Sequence, residues 1–297
     1  MSKQRVALIG LGIMGSGMAG RLLSAGFPLA IYNRHREKAA PFEAAGAVLA
    51  ASPREAASRA EVVISMVADD VASRAVWLGK LGVLAGAAPG TVLVESSTLS
   101  VAWVRELAED ASQKQCELLD APVTGTKPHA ANGELLFLVG GSERALTAAR
   151  PVLNCLGRDA VYLGPTGSGA LMKLINNFLC GVQAASLAEA AALIGNAGLD
   201  REKALGILTN GAPGSPLVKT LAARAAAGDF TPNFVLRLMA KDLSYAIEEG
   251  TRNHLSLETA ASALAEFQRA IAAGYGDSDL SAVIEARQTL RTSAPSR

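Results

Sequence analysis

Short apolar runs alternate with amphipathic stretches through the first 164 residues, after which the amphipathic stretches continue alone. The runs 6–9, 29–32, 61–67 (EVVISMV), 91–95 (TVLVE), 116–123 (CELLDAPV), 135–139 and 161–163 are compact enough for strands covered on both faces. Between them, 18–26 (MAGRLLSAG), 69–77, 101–111 and 142–156 carry helical periodicity. This alternation predicts an α/β doubly wound, mainly parallel sheet. From Gly164 onward the pattern predicts helix after helix, broken at 198–200, 211–216, 228–229, 231–233, Gly250 and 274–276. The expected division is a sheet domain, 1–164, and an all-helical C-terminal domain, 165–297, whose last residues, SAPSR, are expected to fray.

The stretch 164–198, GPTGSGALMKLINNFLCGVQAASLAEAAALIGNAG, stands out from this pattern. It runs without Pro beyond the length of most globular helices, and between Lys173 and Asp200 its only charged side chain is Glu189. A helix that apolar is expected to be buried nearly all round and to join the two domains. Asn176, Asn177, Gln183 and Glu189 interrupt it too often for a membrane span. Lys173 and Asn177 lie four residues apart, hence on one face, and we expect Lys173 to face the cleft between the domains.

The chain has 297 residues, 50% of them hydrophobic and 19% charged, ample for two cores. A net charge of +1 supports neither nucleic acid nor an acidic membrane surface as partner. Cys116, Cys155 and Cys180 form no CxxC pair, and the opening apolar run is too short for a signal peptide. Both point to the cytoplasm. His35, His129 and His254 have no metal-ligand spacing, and neither a GxSxG elbow nor a P-loop occurs.

Immediately after the first strand comes Gly10-Leu11-Gly12-Ile13-Met14-Gly15, then a helix and a second strand. This is the βαβ context in which GxGxxG binds a dinucleotide: a tight turn at Gly10, close approach of backbone to the pyrophosphate at Gly12, close helix packing at Gly15. The helix N-terminus presents N–H groups to the phosphates. At the end of the second strand an NAD site usually carries Asp or Glu, but here stand Asn33-Arg34-His35-Arg36, with no acid before Glu37. A guanidinium suits a 2′-phosphate, so Arg34 argues for NADP(H) in preference to NAD(H), which stays usable. Arg34 and Arg36 also read as solvated residues opening the next helix. Ligands of such sheets lie beyond the carboxyl ends of the strands, where Met66, Val67, Thr98, Thr124 and Gly125 fall.

Hydride transfer to a carbonyl leaves an alkoxide that needs a proton, and the reverse reaction needs that proton removed. A lysine beside the cofactor can serve both directions when burial brings its pKa toward the working pH. Lys173 is the candidate, with Asn177 one turn on to hydrogen-bond the substrate. A lysine snorkelling outward, or paired with a carboxylate, fits the same spacing.

Five ordered segments together resemble the β-hydroxyacid dehydrogenases, the family of 3-hydroxyisobutyrate dehydrogenase and tartronate semialdehyde reductase. They are IGLGIMGSGMAGRL; DAPVTG at 120–125 with its continuation at 133–141; GSGALMKLINN; Lys241-Asp242-Leu243; and GDSDLSAV at 276–283. The resemblance implies an N-terminal Rossmann domain and a helical C-terminal domain that packs against another subunit in a homodimer or homotetramer. It implies interconversion of a small carboxylate-bearing β-hydroxy acid and its semialdehyde. Lys173 would be the general acid and base, Asn177 would orient the substrate, and Thr124 and Gly125 would bind its carboxylate. Lys241 and Thr98 would lie near the nicotinamide, and Gly167 and Gly169 would let backbone approach the substrate.

Two departures from the family pattern bear on the substrate. The usual serine is Thr124 and the second glycine is Thr126, while Lys127-Pro128-His129 replaces a glycine-rich segment and reads either as an added charge or as loop surface. The rival readings are an imine reductase, which commonly carries Asp or Tyr at the lysine position, and a non-catalytic NADP-binding module.

Overall fold

The computed structural model describes residues 3–292, so the expected fraying of 293–297 lies outside the described residues. The chain divides into two compact units, Met1–Lys173 and Leu174–Arg297. Each buries its own apolar core.

The first unit opens with β1 (Val6–Ile9), α1 (Ile13–Ser24) and β2 (Leu29–Tyr32), followed by the short α2 (Ala40–Ala44), β3 (Val48–Leu49) and α3 (Pro53–Ala57). Then come β4 (Val62–Ser65), α4 (Asp70–Trp77), β5 (Val92–Glu95) and α5 (Val101–Gln113). It closes with β6 (Glu117–Asp120), β7 (Val123–Thr124), α6 (Lys127–Asn132), β8 (Leu135–Gly140), α7 (Glu143–Leu156) and β9 (Gly157–Gly164). The strands form one sheet in which β3-β2-β1-β4-β5-β6 are all parallel. Every residue of β1, β4 and β5 is buried, as helices on both faces require. Side chains start the helices: Asp69 accepts from Ala72 N, Ser100 from Trp103 N and Ser142 from Ala145 N.

The doubly wound sheet is as expected from the alternation; its far edge differs. The run 116–123 holds two strands, because Pro122 has no N–H to continue the ladder. Both pair antiparallel with β8, and β9 then pairs parallel with β8. Two-residue β3 is too short to show a period. Residues 127–129 are neither glycine-like nor loop: they begin α6, with Pro in its first turn and Thr126 at its N-cap.

α8 (Ser168–Asn196) begins in the first unit and ends in the second. The second unit is otherwise α9 (Arg201–Asn210), α10 (Pro216–Ala227), α11 (Leu236–Arg252), α12 (Glu258–Ala270) and α13 (Ala282–Thr292). Its core is built on Met239 and Leu243 of α11, Phe267 of α12 and the α8 stripe Ala184, Leu187, Ala188 and Ala191. That stripe has the spacing of one helix face. Within a single chain the core covers only part of α8. Ile175, Leu179 and Leu193 are 42%, 52% and 68% exposed, because the core takes up one face and the opposite face is apolar as well. By length and composition α8 is also the one helix among the described residues able to cross a membrane; 44% of its most apolar 18-residue window is buried within the protein.

The glycines that open α8 allow close packing at the helix start. At Gly169 a Cβ would overlap the Leu138 carbonyl and stand 2.5 Å from the Asp120 carbonyl oxygen. Gly167 has φ +96°, and its Cβ would lie 3.1 Å from both Arg105 Nε and Val101 Cγ1. The helix start therefore lies against the sheet without room for a methyl group. Gly169→Ala should lower the unfolding free energy in urea by about 3 kcal/mol, since overpacking against backbone cannot relax by a rotamer change. An unchanged urea midpoint would refute this close packing.

Candidate active site

The glycine turn leaves β1 at Gly10, whose φ of +103° suits glycine and whose N–H donates to Tyr32 O at 2.8 Å. A Cβ on Gly10 would overlap the Met66 carbonyl, and one on Gly15 would overlap the Gly10 carbonyl. Gly12 is different: nothing stands within 4 Å of its Cβ position. It is also the N-cap of α1, where no side chain caps the helix. Two glycines are thus closed in by protein, and the middle one opens onto free space at a helix N-terminus. This arrangement fits the pyrophosphate of a dinucleotide.

Leu11 serves the turn rather than its surface. Its side chain is buried in the core, and its N–H donates to Asn33 Oδ1 at 2.8 Å. Asn33 Nδ2 donates in turn to His35 O at 2.9 Å. One carboxamide thereby fastens the glycine turn to the end of β2, where Arg34, His35 and Arg36 are exposed. Ile13 and Met14 are half-buried in the first turn of α1.

Sheet register puts Ile9, Ser65 and Glu95 in one row, so the turns after β1, β4 and β5 open side by side. Half-buried Met66, Val67 and Thr98 stand on these turns. The Val67 N–H donates to Ser97 Oγ at 2.8 Å, and the Ser97 N–H donates to Glu95 Oε1 at 2.9 Å. The other carboxylate oxygen of Glu95 accepts from Ser73 Oγ at 2.8 Å and from Trp77 Nε1 at 2.6 Å. Glu95 is 1% exposed, and burial pushes its carboxyl above the usual range against the pull of these donors.

Next in the same row is Asp120. Its Oδ1 accepts from Gly167 N and its Oδ2 from Ala170 N, each at 2.9 Å. A buried carboxylate therefore receives the first amides of α8, where the helix dipole also favours it. Burial raises its pKa and the backbone hydrogen bonds oppose that rise. Lys173, half-buried, stands three residues beyond Ala170 on this anchored turn. Thr124 is half-buried at the end of β7 and Gly125 is exposed. Beyond them the ring of His129 accepts the Thr126 N–H at Nδ1, 3.1 Å, and the same nitrogen meets Thr126 Oγ1 at 2.7 Å.

Within the second unit, Asn177 is 3% exposed and its Nδ2 donates to Asp242 Oδ2 at 2.6 Å. Its Oδ1 accepts from Asn176 at 2.9 Å. The other oxygen of Asp242 lies 3.1 Å from Lys241 Nζ, which also stands 5.2 Å from the Tyr245 ring centroid. Asn177 and Lys241, read separately from sequence, are thus parts of one polar cluster joined by Asp242. Among the described residues no three His, Cys, Asp or Glu side chains gather as a metal site would need.

Residues 5–164 match the family model for the NAD-binding domain of 6-phosphogluconate dehydrogenase. Residues 167–287 match the model described as NAD-binding of NADP-dependent 3-hydroxyisobutyrate dehydrogenase. The chain belongs to the β-hydroxyacid dehydrogenase family. This dehydrogenase is 35% identical to the NAD-dependent L-serine dehydrogenase of Pseudomonas aeruginosa, over 94% of the chain and 96% of the relative. It is 33% identical to glyoxylate/succinic semialdehyde reductase 1 of Arabidopsis thaliana, over 95% and 97%. The crystal structure of a 3-hydroxyisobutyrate dehydrogenase from Salmonella typhimurium superposes with a TM-score of 0.87 at 33% identity, covering 95% of this chain and 99% of that one. The dehydrogenase is accordingly an NAD(P)-dependent enzyme acting on hydroxy acids.

Sequence reasoning passed over Glu95, Ser97, Asp120 and Asp242 as working parts of the dehydrogenase. The available signal was position: Glu95 and Asp120 each put an acid on the last residue of an apolar strand. Because the native pKa of Asp120 is raised, its ionisation weakens the fold. The stability it contributes is fully present below the unfolded carboxylate range, about 4, and is lost as pH rises through the native value. Measured by urea unfolding, the stability advantage of the wild type over Asp120→Asn should therefore shrink from acid toward neutral pH. A gap that widened with pH would reverse the assignment.

Proposed function

We propose that this chain is an NADP(H)-preferring dehydrogenase that interconverts a small β-hydroxy acid and its semialdehyde, with Lys173 as general acid and base. The observation that carries the reading is found within the first unit. It is an open glycine turn at Gly12 together with a half-buried lysine one turn past the carboxylate-anchored start of α8. Gly10, Gly12, Gly15 and the start of α1 would hold the pyrophosphate. Arg34 would take the 2′-phosphate, with Asn33 holding the turn in shape. Met66, Val67, Thr98 and Lys241 would serve the nicotinamide end, and the bound nicotinamide supplies or accepts the hydride.

Lys173 then gives a proton to the carbonyl oxygen in reduction and takes it from the hydroxyl in oxidation. Thr124 and Gly125 would hold the substrate carboxylate through a hydroxyl and backbone N–H groups. The methyl of Thr124 narrows the space a serine would leave, which favours small substrates. Asn177 would orient the substrate and, through Asp242, keep Lys241 in place. We read the exposed apolar face of α8 at Ile175, Leu179 and Leu193 as the surface that a homodimer or homotetramer covers. Cys116, Cys155 and Cys180 are all thiols, which is consistent with the cytoplasm.

NADPH consumption measured with a panel of carboxylate-bearing aldehydes, and with cyclic imines as the contrasting class, tests the reaction. Turnover of imines alone, or NADPH binding without turnover of any aldehyde, overturns it. Lys173→Ala should lower kcat by about 10²–10⁴-fold and leave NADPH binding intact, because the lysine handles the proton and not the phosphates. Retention of most activity would remove Lys173 from the reaction. Arg34→Glu should weaken NADPH by about 10–100-fold and NADH much less, as expected for loss of a charge-assisted contact and gain of a repulsion. Equal effects on both cofactors would mean that Arg34 does not read the 2′-phosphate.

A further inference from the structure

We propose that Glu95 is a positioning residue of this enzyme: through Ser97 it sets the two strand-end turns, after β4 and after β5, that receive the nicotinamide ring. The inference rests on the reading above that Met66, Val67 and Thr98 lie at that end of the cofactor.

Glu95 is the last residue of β5, beside Ser65 on one flank and Asp120 on the other. Charged groups are rarely this deep without partners, because an uncompensated buried carboxylate costs several kcal/mol. Its partners here are donors drawn from two separate segments. Ser73 and Trp77 come from α4, and the Ser97 N–H comes from the turn leaving β5. A third segment joins at one remove, since Trp103 Nε1 of α5 donates to Ser73 Oγ at 2.9 Å. Ser97 then carries the constraint across to the neighbouring turn, its hydroxyl oxygen accepting the Val67 N–H. The path from the carboxylate to each expected cofactor contact is short. Thr98 follows Ser97 directly in the chain, and Val67 is one hydrogen bond away from it.

The chemistry of the group matters as much as its size. A carboxylate offers acceptors on both oxygens, and both are used by donors that cannot reverse: the indole N–H of Trp77 on one side and the backbone N–H of Ser97 on the other. A glutamine in its place can satisfy only one side and turns its NH₂ on the other. With the oxygen kept toward Trp77 and Ser73, the amide would face the Ser97 N–H and release the turn. The hydrogen bonds of Glu95 and Ser97 run to α4, to the turn leaving β5 and to Val67, and the glycine turn meets this network by packing, with Val67 Cγ1 3.3 Å from the Cβ position of Gly10. Glu95 should therefore affect the nicotinamide end of the cofactor more than the phosphate and adenosine end.

That asymmetry gives the test. The chain has two tryptophans, Trp77 and Trp103, and both belong to the network, so intrinsic fluorescence reports on it directly. Purified full-length wild type, Glu95→Gln and Ser97→Ala are titrated with NADP+ and with 2′-phospho-ADP-ribose, the same molecule without its nicotinamide. In both variants the NADP+ Kd should rise about 10-fold, as expected for one buried donor left without an acceptor, while the fragment Kd stays within about 2-fold of wild type. Under saturating cofactor kcat should fall, and Glu95→Asp, which keeps both acceptors, should recover part of the loss. Equal weakening of NADP+ and fragment would show a merely structural role, and no change in either would show that the turns hold without Glu95; both overturn the proposal. If Glu95→Gln does not fold, Ser97→Ala decides alone, because it leaves the carboxylate and its other partners in place. The binding comparison needs no turnover, so a wild type inactive on every aldehyde would refute the proposed reaction without deciding the role of Glu95.

Discussion

A carboxylate shut away from water has to be met by donors, and at Asp120 the donors are the amides of Gly167 and Ala170. Most of the site geometry in the first unit follows from that one clamp. The last residue of β6 belongs to a sheet that cannot shift, because its neighbours in register are buried strands. By receiving the first amides of α8 it transfers that rigidity to the helix. Glycine at 167 and 169 is the companion condition, since a side chain at 169 would press on the backbone of the sheet and one at 167 would crowd Val101 and Arg105 of α5. Lys173 takes its position from these contacts and not from a loop.

The same device recurs along the row of strand ends. Glu95 collects α4, α5 and two turns, as Asp120 collects α8. In the second unit Asp242 joins Asn177 of α8 to its own neighbour Lys241 on α11. Asp279 likewise gathers the N–H groups of Asn233 and Phe234 and the hydroxyl of Ser281. Each acid is almost wholly buried and each ties down segments distant in sequence. Apolar packing gives the two units their bulk, whereas these few satisfied acids determine where the loops and helix starts stand.

Much of this was legible in the sequence. Strands β1 and β2 could be read to the residue, because a buried parallel strand leaves an uninterrupted apolar run and the flanking glycines mark its end. The glycine turn was readable because its spacing and both flanks agree. What stayed hidden depends on contacts far along the chain. The packing need at Gly167 and Gly169 shows only when the Leu138 carbonyl and the Arg105 side chain are seen beside them. The 127–129 segment reads as an added charge or as loop surface, because its helix is short and capped by a threonine–histidine pair that no period reveals. The apolar length of α8 could be read from composition, but not which face the core of its own chain occupies: Ile175, Leu179 and Leu193 lie on the side that the core leaves open.

The fastening at Asn33 has a consequence for how such an enzyme can change. Its carboxamide is used at both ends, holding Leu11 on one side and the carbonyl of His35 on the other. The shape of the glycine turn and the charge displayed beside it are therefore assigned to adjacent but separate residues. Position 33 is constrained by geometry, while position 34 points outward and is answerable only to what binds there. A lineage, or a designer, can change the second without disturbing the first, and under the role proposed for Arg34 nucleotide selectivity can drift at a single exposed residue.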